Sequence, residues 1–269
     1  MNERPIKQFT IALIFLIIVV GVSYTSYNIL NPDPTCYDQI QNQSEEGIDC
    51  GTVCSNTCDP VIVPLQLING ELVPVGEEFD LVLQVRNPNV LHGAKNVSYD
   101  IILTDAENKT SVIHGSFYIL PLQTKYIIKS RLASSLTSWE MVIKDATWHK
   151  VTIADLKVDF PLLRELHETV SLPGVKYQVE GTLENRSDFD FDQIDVTVLL
   201  IDSLGSVKAV NTTTINTFLS KSQRYFKVTW PYSIVGEGLT PQVQATTNVF
   251  NNSNFIRRYG TQEEFQKYQ

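Results

Sequence analysis

Three absences frame this sequence: no cysteine beyond residue 58, no charge between residues 8 and 32, and little positive charge overall. Its 21 basic and 30 acidic residues give a net charge of −9, which argues against nucleic acid because a phosphate-binding protein needs a basic face. No G-x-S-x-G elbow or phosphate-binding glycine loop is present, and the four histidines lack metal-ligand spacing. The sequence therefore predicts neither an enzyme nor a cofactor site.

One long apolar run, residues 9–30, lies near the N-terminus. A helix of about 20 apolar residues is long enough to cross a bilayer. Arg4 and Lys7 precede the run and no basic residue follows until Arg86, so the positive-inside rule places residues 1–8 in the cytoplasm. We interpret the run as a single-pass signal anchor with the rest of the chain extracytoplasmic. A cleaved signal peptide is the alternative, and it exports the rest of the chain equally.

All four cysteines of the chain fall in the short acidic segment 31–60. In an exported protein, such clustering favours two disulfides that tie a segment too small to bury its own core. Four cysteines allow three pairings, and the sequence leaves them open. A zinc site is the alternative, since four thiolates can complete a tetrahedral shell. The residues concerned are Cys36, Cys50, Cys54 and Cys58.

Two acidic stretches offer oxygen ligands of the kind that Ca²⁺ takes. The cysteine segment contains no Lys or Arg, and an alternating Asp-Phe run later in the chain would place carboxylates on one side of an extended backbone. For both stretches the alternative is a solvated acidic loop. The candidate ligands are Asp38, Asn42, Glu45 and Asp49 in the first and Asp188, Asp190 and Asp192 in the second.

The order of cysteines, acids and glycine in residues 35–58 resembles a short module of prokaryotic surface proteins, C-x-D-G-x-x-N-x-x-E-x-x-x-D-C-G-G-x-C-x-x-C. Two positions depart, because Gln39 and Thr52 stand where the module has glycine, and Cys58 lies one residue farther on. The resemblance implies an exported, membrane-anchored surface protein and specifies no chemistry.

The remaining chain matches itself over the length of a domain. Residues 79–87 match 177–185, and residues 97–105 match 194–202. Such a repeat is a whole domain rather than a solenoid unit. The predicted bounds are 61–157 for the first copy, 158–256 for the second and 257–269 for a polar tail.

Each copy has the pattern of short β-strands. Phe79, Leu81 and Leu83 alternate with polar residues, and turn residues recur every few positions, which together favour six or seven strands in a sandwich. Only residues 162–170 have helical spacing. Because no cysteine lies in either copy, the fold is immunoglobulin-like or fibronectin-like in architecture only. The strand and glycine turn at 194–205 resemble FxLYD-type or CARDB-type accessory sandwiches, which are mostly non-catalytic.

These features predict an all-β protein of two tandem sandwiches after a transmembrane helix and a cysteine-rich segment. We expect a non-enzymatic role at the cell surface through a protein partner: adhesion, envelope organisation or an accessory subunit of a membrane assembly. The alternative is a receptor domain for a small ligand or carbohydrate, which would use the acidic loops and the tryptophans as a binding platform. In the first case Trp139, Trp148 and Trp230 are core residues instead.

Overall fold

The protein forms two compact units, residues 1–61 and 62–269, each considered separately. Among the residues that the structure describes, all β-strands lie in the second unit. The computed structural model describes residues 3–30, 36–41, 44–58, 61–151 and 158–253. The predicted tail 257–269 and the candidate ligand Asn42 lie outside the described residues.

The first unit begins with one long helix, α1 (Glu3–Leu30). Its segment Gln8–Ile29 contains 22 residues and is apolar enough to cross a membrane. At 1.5 Å per residue it spans about 33 Å, close to the thickness of a hydrocarbon core. Its described side chains are exposed on all sides, as expected for a helix whose solvent is lipid. A membrane anchor and a signal sequence are both compatible with this helix, and its orientation stays a prediction.

The second unit consists of twelve antiparallel strands in four sheets of three. The first six are β1 (Gln66–Val75), β2 (Glu78–Arg86), β3 (His92–Asp105), β4 (Thr110–Ile119), β5 (Thr124–Ala133) and β6 (Leu136–Lys150). The others are β7 (Leu162–Leu172), β8 (Val175–Glu184), β9 (Phe191–Ile201), β10 (Val207–Phe218), β11 (Gln223–Trp230) and β12 (Thr240–Thr246), followed by a short 3₁₀ helix, Val249–Asn251.

The two halves of this unit have the same strand order. Sandwich 1 pairs the sheet β1-β2-β5 with the sheet β4-β3-β6, and sandwich 2 pairs β7-β8-β11 with β10-β9-β12. Counting from the first strand of each half, the orders are identical. The predicted all-β fold, with two sandwiches after an N-terminal helix, is confirmed.

Each sandwich encloses its own apolar core. Leu81 and Leu83 of β2 face Val97, Tyr99 and Ile101 of β3 across the first core, as their period of two requires. The larger second core contains Trp230, Phe191 and Phe218. Trp139 and Trp148 are partly buried and pack against the first core, so Trp230 is a core residue and the other two lie at the edge of a core.

The helical turn predicted from the spacing in residues 162–170 is wrong, because this segment belongs to strand β7. It pairs with β8 from Leu162↔Leu183 to Thr169↔Tyr177. β7 is an edge strand, and most of its side chains are exposed. An edge strand buries few side chains, so apolar and polar residues need not alternate strictly along it. The alternation with a period of two is therefore weak in β7.

Candidate functional site

Two disulfides join the cysteines of the first unit, Cys36 to Cys54 and Cys50 to Cys58. No free cysteine is left, so the zinc alternative is wrong because the site has no thiolate to offer. Cys36, Cys54 and the buried Glu45 place three potential ligand atoms within 4.8 Å of one another. The two sulfurs are bonded to each other, however, and Glu45 alone offers an anionic ligand there.

The candidate calcium ligands of this segment bind its own backbone. The Asp49 carboxylate accepts hydrogen bonds from the N–H groups of Asp38 and Gln39, at 3.0 Å each. The Asp38 carboxylate accepts from Ile40 N–H at 2.9 Å. Gln39 has a φ of 60°, the left-handed conformation that favours glycine. Asp49 therefore supports a glycine-type turn at a position where the module that this segment resembles has glycine. Calcium binding by Asp38, Glu45 and Asp49 stays a prediction.

The Asp-Phe run of sandwich 2 alternates as predicted. Phe189 and Phe191 are buried, whereas the three aspartates between and beside them are exposed. Their partners differ, however. Asp188 forms an ion pair with Lys221 at 2.9 Å, and Asp190 accepts from Ser220 N–H at 2.7 Å.

Asp192 instead lines a polar depression of about 280 Å³ together with Asp195, Asn248 and Asn251. Within the described residues, Asp188, Asp190 and Asp192 do not bring their carboxylate oxygens within 4.8 Å of one another. The structure therefore does not bring the three carboxylates together, and calcium binding by them stays a prediction.

A buried asparagine follows the second strand of each sandwich. In sandwich 1, Asn87 donates to the carbonyl oxygens of His92 and Leu120, at 2.7 and 2.9 Å. In sandwich 2, Asn185 donates to the carbonyl oxygens of Phe189 and Phe218, at 2.8 and 3.1 Å. Each asparagine thereby ties the loop after its own strand to the turn between the fourth and fifth strands. Both side chains are fully buried, so losing these bonds would leave carbonyl groups unpaired.

The two sandwiches pack against each other through an apolar contact, here called the docking interface. Val73 of β1 and Val82 of β2 lie against Leu199 of β9 and Val210 of β10, and all four are at most 4% exposed. The outer face of the sheet β1-β2-β5 thus covers the outer face of β10-β9-β12. The partly buried residues around this contact are Tyr126, Ile128, Ile201 and Val207.

Side-chain hydrogen bonds close the rim of the docking interface. The Gln244 amide of β12 donates to the Thr124 carbonyl of β5 at 2.7 Å and accepts from Tyr126 N–H at 3.4 Å. The amide therefore satisfies the free edge of β5 as a neighbouring strand would. On β1, at the other edge of the same sheet, the Glu71 carboxylate accepts from Val207 N–H of β10 at 3.1 Å. The sandwiches are accordingly held together by directional bonds as well as by burial.

Beside the docking interface lies a polar cleft of about 330 Å³. Its walls include Lys125, Tyr126, Asp195 and Gln244 and a row of threonines from β9 and β10. The Lys125 Nζ atom lies 3.2 Å from the centre of the Tyr118 ring. Burial lowers the pKa of Lys125 to about 7, although the Asp195 carboxylate opposes this shift. Burial also raises the pKa of Tyr118.

The sequence prediction missed this cleft and the docking interface. The available signal was the interruption of alternation: Leu81, Val82 and Leu83 are consecutive apolar residues, as are Val198 to Ile201. A strand buried on both faces has such a run. Val82 and Leu199 are the members that point away from their own core and into the other sandwich.

No protein-family model matches the chain, and the search of curated proteins likewise found no match. The resemblances of the cysteine segment and of the strand at 194–205 therefore stay predictions.

Proposed function

We propose that this chain is a single-pass membrane-anchored protein whose extracytoplasmic part binds a protein partner and catalyses no reaction. Helix α1 supports the anchor, and two disulfides support an oxidising, extracytoplasmic environment for the segment after it. The immunoglobulin-like class and the duplication remain part of this proposal; the identical strand orders support them.

The docking interface is the observation that carries the proposal. Two sandwiches joined by a flexible linker would change their mutual geometry, whereas a buried contact with rim hydrogen bonds holds their surfaces in one arrangement. Such a composite surface suits recognition of another macromolecule, which needs a larger pre-organised area than a small ligand does.

A cross-linking experiment in native membranes tests the proposal. The full-length chain, with a C-terminal affinity tag, is cross-linked on intact cells with a reagent that does not cross membranes, then captured and identified by mass spectrometry. We expect a defined protein partner whose yield falls when Val82→Glu opens the docking interface. Retention of small molecules alone, with no protein partner, would contradict the proposal.

The polar cleft favours a second candidate, recognition of a neutral saccharide. A hydroxyl group can accept from the Lys125 ammonium and donate to the Asp195 carboxylate, and the threonine hydroxyls add further partners. Calorimetric titration of the full-length chain with a panel of neutral oligosaccharides tests this candidate. We expect binding that Lys125→Met weakens at least tenfold and that the exposed control Lys144→Met leaves unchanged; absence of binding heat across the panel would exclude it.

A further inference from the structure

The corresponding ends of the two sandwiches have the same backbone conformation but different side chains. In both, the turn between the fourth and fifth strands contains a residue in the left-handed conformation, Leu122 with a φ of 54° and Lys221 with a φ of 55°. In sandwich 2 this turn is charged, since Lys221 pairs with Asp188 of the neighbouring loop at 2.9 Å. An ion pair at an exposed loop end is what a soluble domain normally presents.

The corresponding end of sandwich 1 is apolar. Val63, Val90 and Leu122 are 45%, 54% and 44% exposed, and Ile62 beside them is 37% exposed. We call these four residues the apolar tip. Three separate stretches of chain contribute to it, so it is a patch rather than one stray side chain.

Hydrogen bonds hold the apolar tip in place. The buried Asn89 side chain accepts from Val63 N–H and donates to the Val63 carbonyl, both at 2.7 Å. The Leu122 N–H donates to the Asn89 carbonyl at 3.1 Å. The exposed side chains therefore project from a fixed frame.

The left-handed backbone conformation of Leu122 lowers the stability of the fold. A leucine with a positive φ is uncommon, because its Cβ crowds the backbone, and 44% of the surface of this leucine stays exposed. Glycine or asparagine would suit the turn better. The conformation of the turn therefore does not account for leucine at this position.

Two basic side chains lie near the tip, and one acidic side chain, Asp159, lines a depression together with Leu120 and Gln123. Arg86 ends β2 beside it, and Lys150 pairs with His92 at the start of β3. Both are exposed. The segments 61–70, 81–99 and 113–139, which include the tip and its neighbours along the chain, contain no aspartate or glutamate. An apolar patch with two basic side chains near it matches the boundary between anionic headgroups and acyl chains.

The tip also lies where the second unit begins in the chain. Ile62 is its first residue, and the preceding segment leads back to α1 through the Cys36–Cys54 disulfide, which bridges a sequence separation of 18 residues. This link shortens the covalent route between the helix and the tip.

We propose that the apolar tip inserts into the surface of the anionic bilayer that holds α1. This inference rests on the proposed membrane anchor. Contact with lipid would fix the sandwiches at the membrane surface rather than leaving them free on a tether.

Quenching by brominated lipids tests the insertion. The full-length chain is reconstituted in nanodiscs of anionic lipid brominated near the top of the acyl chain, with Leu122→Trp as the probe and Lys221→Trp as the matched control at the same backbone position. The emission of the unmodified chain supplies the background of Trp139, Trp148 and Trp230. We expect the added emission of Leu122→Trp to be quenched at least twofold more than that of Lys221→Trp, and less in zwitterionic lipid.

Amide hydrogen exchange provides a second measurement, which uses the chain without any substitution at the tip. We expect the amides of residues 89–91, 122 and 123 to exchange at least threefold more slowly in anionic nanodiscs than in detergent. The double variant Val90→Asp and Leu122→Lys, which copies the ion pair of sandwich 2, should lose this protection.

Equal quenching of the two probes, or protection that appears only when a protein extract is added, would overturn the lipid contact. Resistance of the chain to alkaline extraction from native membranes reports separately on α1. A chain that stays in the membrane without tip quenching refutes the tip alone, whereas a chain that is extracted refutes the anchor.

Discussion

The outer faces of the two sandwiches show how one fold can either dock or stay in water. In sandwich 1, Val82 and Ile128 are cross-strand neighbours in the docking interface. The corresponding neighbours in sandwich 2 are Glu180 and Lys227, which form an ion pair at 2.9 Å. One pair of positions thus accounts for much of the difference between a face that excludes water and a face that remains hydrated.

The same comparison inside the cores shows an exchange of volume. Leu83 and Ile127 are opposed across β2 and β5, whereas Gly181 and Phe226 are opposed across β8 and β11. A Cβ atom on Gly181 would lie 2.5 Å from the Phe226 ring. The absence of a side chain at Gly181 therefore makes room for the large Phe226 ring on the neighbouring strand.

The largest expected effect comes from placing the sandwich 2 residue in sandwich 1. Val82→Glu puts an unpaired carboxylate against Val73, Leu199 and Val210, so we expect a loss of about 4 kcal/mol in the free energy of unfolding. Denaturant unfolding of the full-length chain in detergent measures it. The control Glu180→Gln, at the matching and partly exposed position of sandwich 2, removes only a surface ion pair and should lower stability by no more than about 1 kcal/mol; similar losses in both would refute the docking interface.

Exchanging the core residues gives the next largest effect. Gly181→Leu should lower stability by about 3 kcal/mol, because the Phe226 ring and the Arg164 carbonyl leave no room for the side chain. Adding Phe226→Ile recreates the pair of sandwich 1 and should restore at least half of the loss. A double variant no more stable than Gly181→Leu would show that the two cores are not interchangeable at this position.

The buried lysine of the cleft should make stability depend on pH. With its pKa lowered to about 7 in the folded state, Lys125 binds fewer protons than in the unfolded chain above pH 7. Stability should therefore rise between about pH 7 and pH 10, by about 2 kcal/mol. Above pH 10 it should fall, because burial raises the pKa of Tyr118, and raises that of Tyr232 to about 12.

Lys125→Met should abolish the rise and stabilise the chain at pH 7. Arg224, at the matching place in sandwich 2, is exposed, so Arg224→Met should leave the pH profile unchanged. The profile is measured by denaturant unfolding at fixed ionic strength. An unchanged rise in Lys125→Met would assign it to another group.

The smallest expected effect concerns the apolar tip. Leu122→Asn should raise stability by about 0.5 kcal/mol, since asparagine accepts the left-handed conformation more readily than leucine. The same change at Lys221 should give a similar small gain or none, because it also removes the ion pair with Asp188. A clear loss in Leu122→Asn would mean that the leucine contributes to folding.

The sequence predicted the elements better than the contacts between them. The apolar helix and the strands follow from local patterns, and Asp105 and Asp202 even end their strands in the same way, each accepting from N–H groups two and four residues ahead. Disulfide pairing and the dispersal of the aspartates at 188–192 depend on distant partners such as Lys221 and Ser220. Local periodicity carries no information about those partners.

The docking interface joins two different faces, which has a consequence for assembly. A contact between unlike faces does not close on itself, so identical sandwiches joined in this way could add further copies without limit and form a fibre. In this chain the growing end would be the outer face of β7-β8-β11, where Glu180 and Lys227 occupy the docking positions. A further sandwich would have to bury this ion pair in order to dock there, so the pair opposes further addition. Because each added copy needs one face of each kind, a single charged face is enough to limit the stack to two sandwiches.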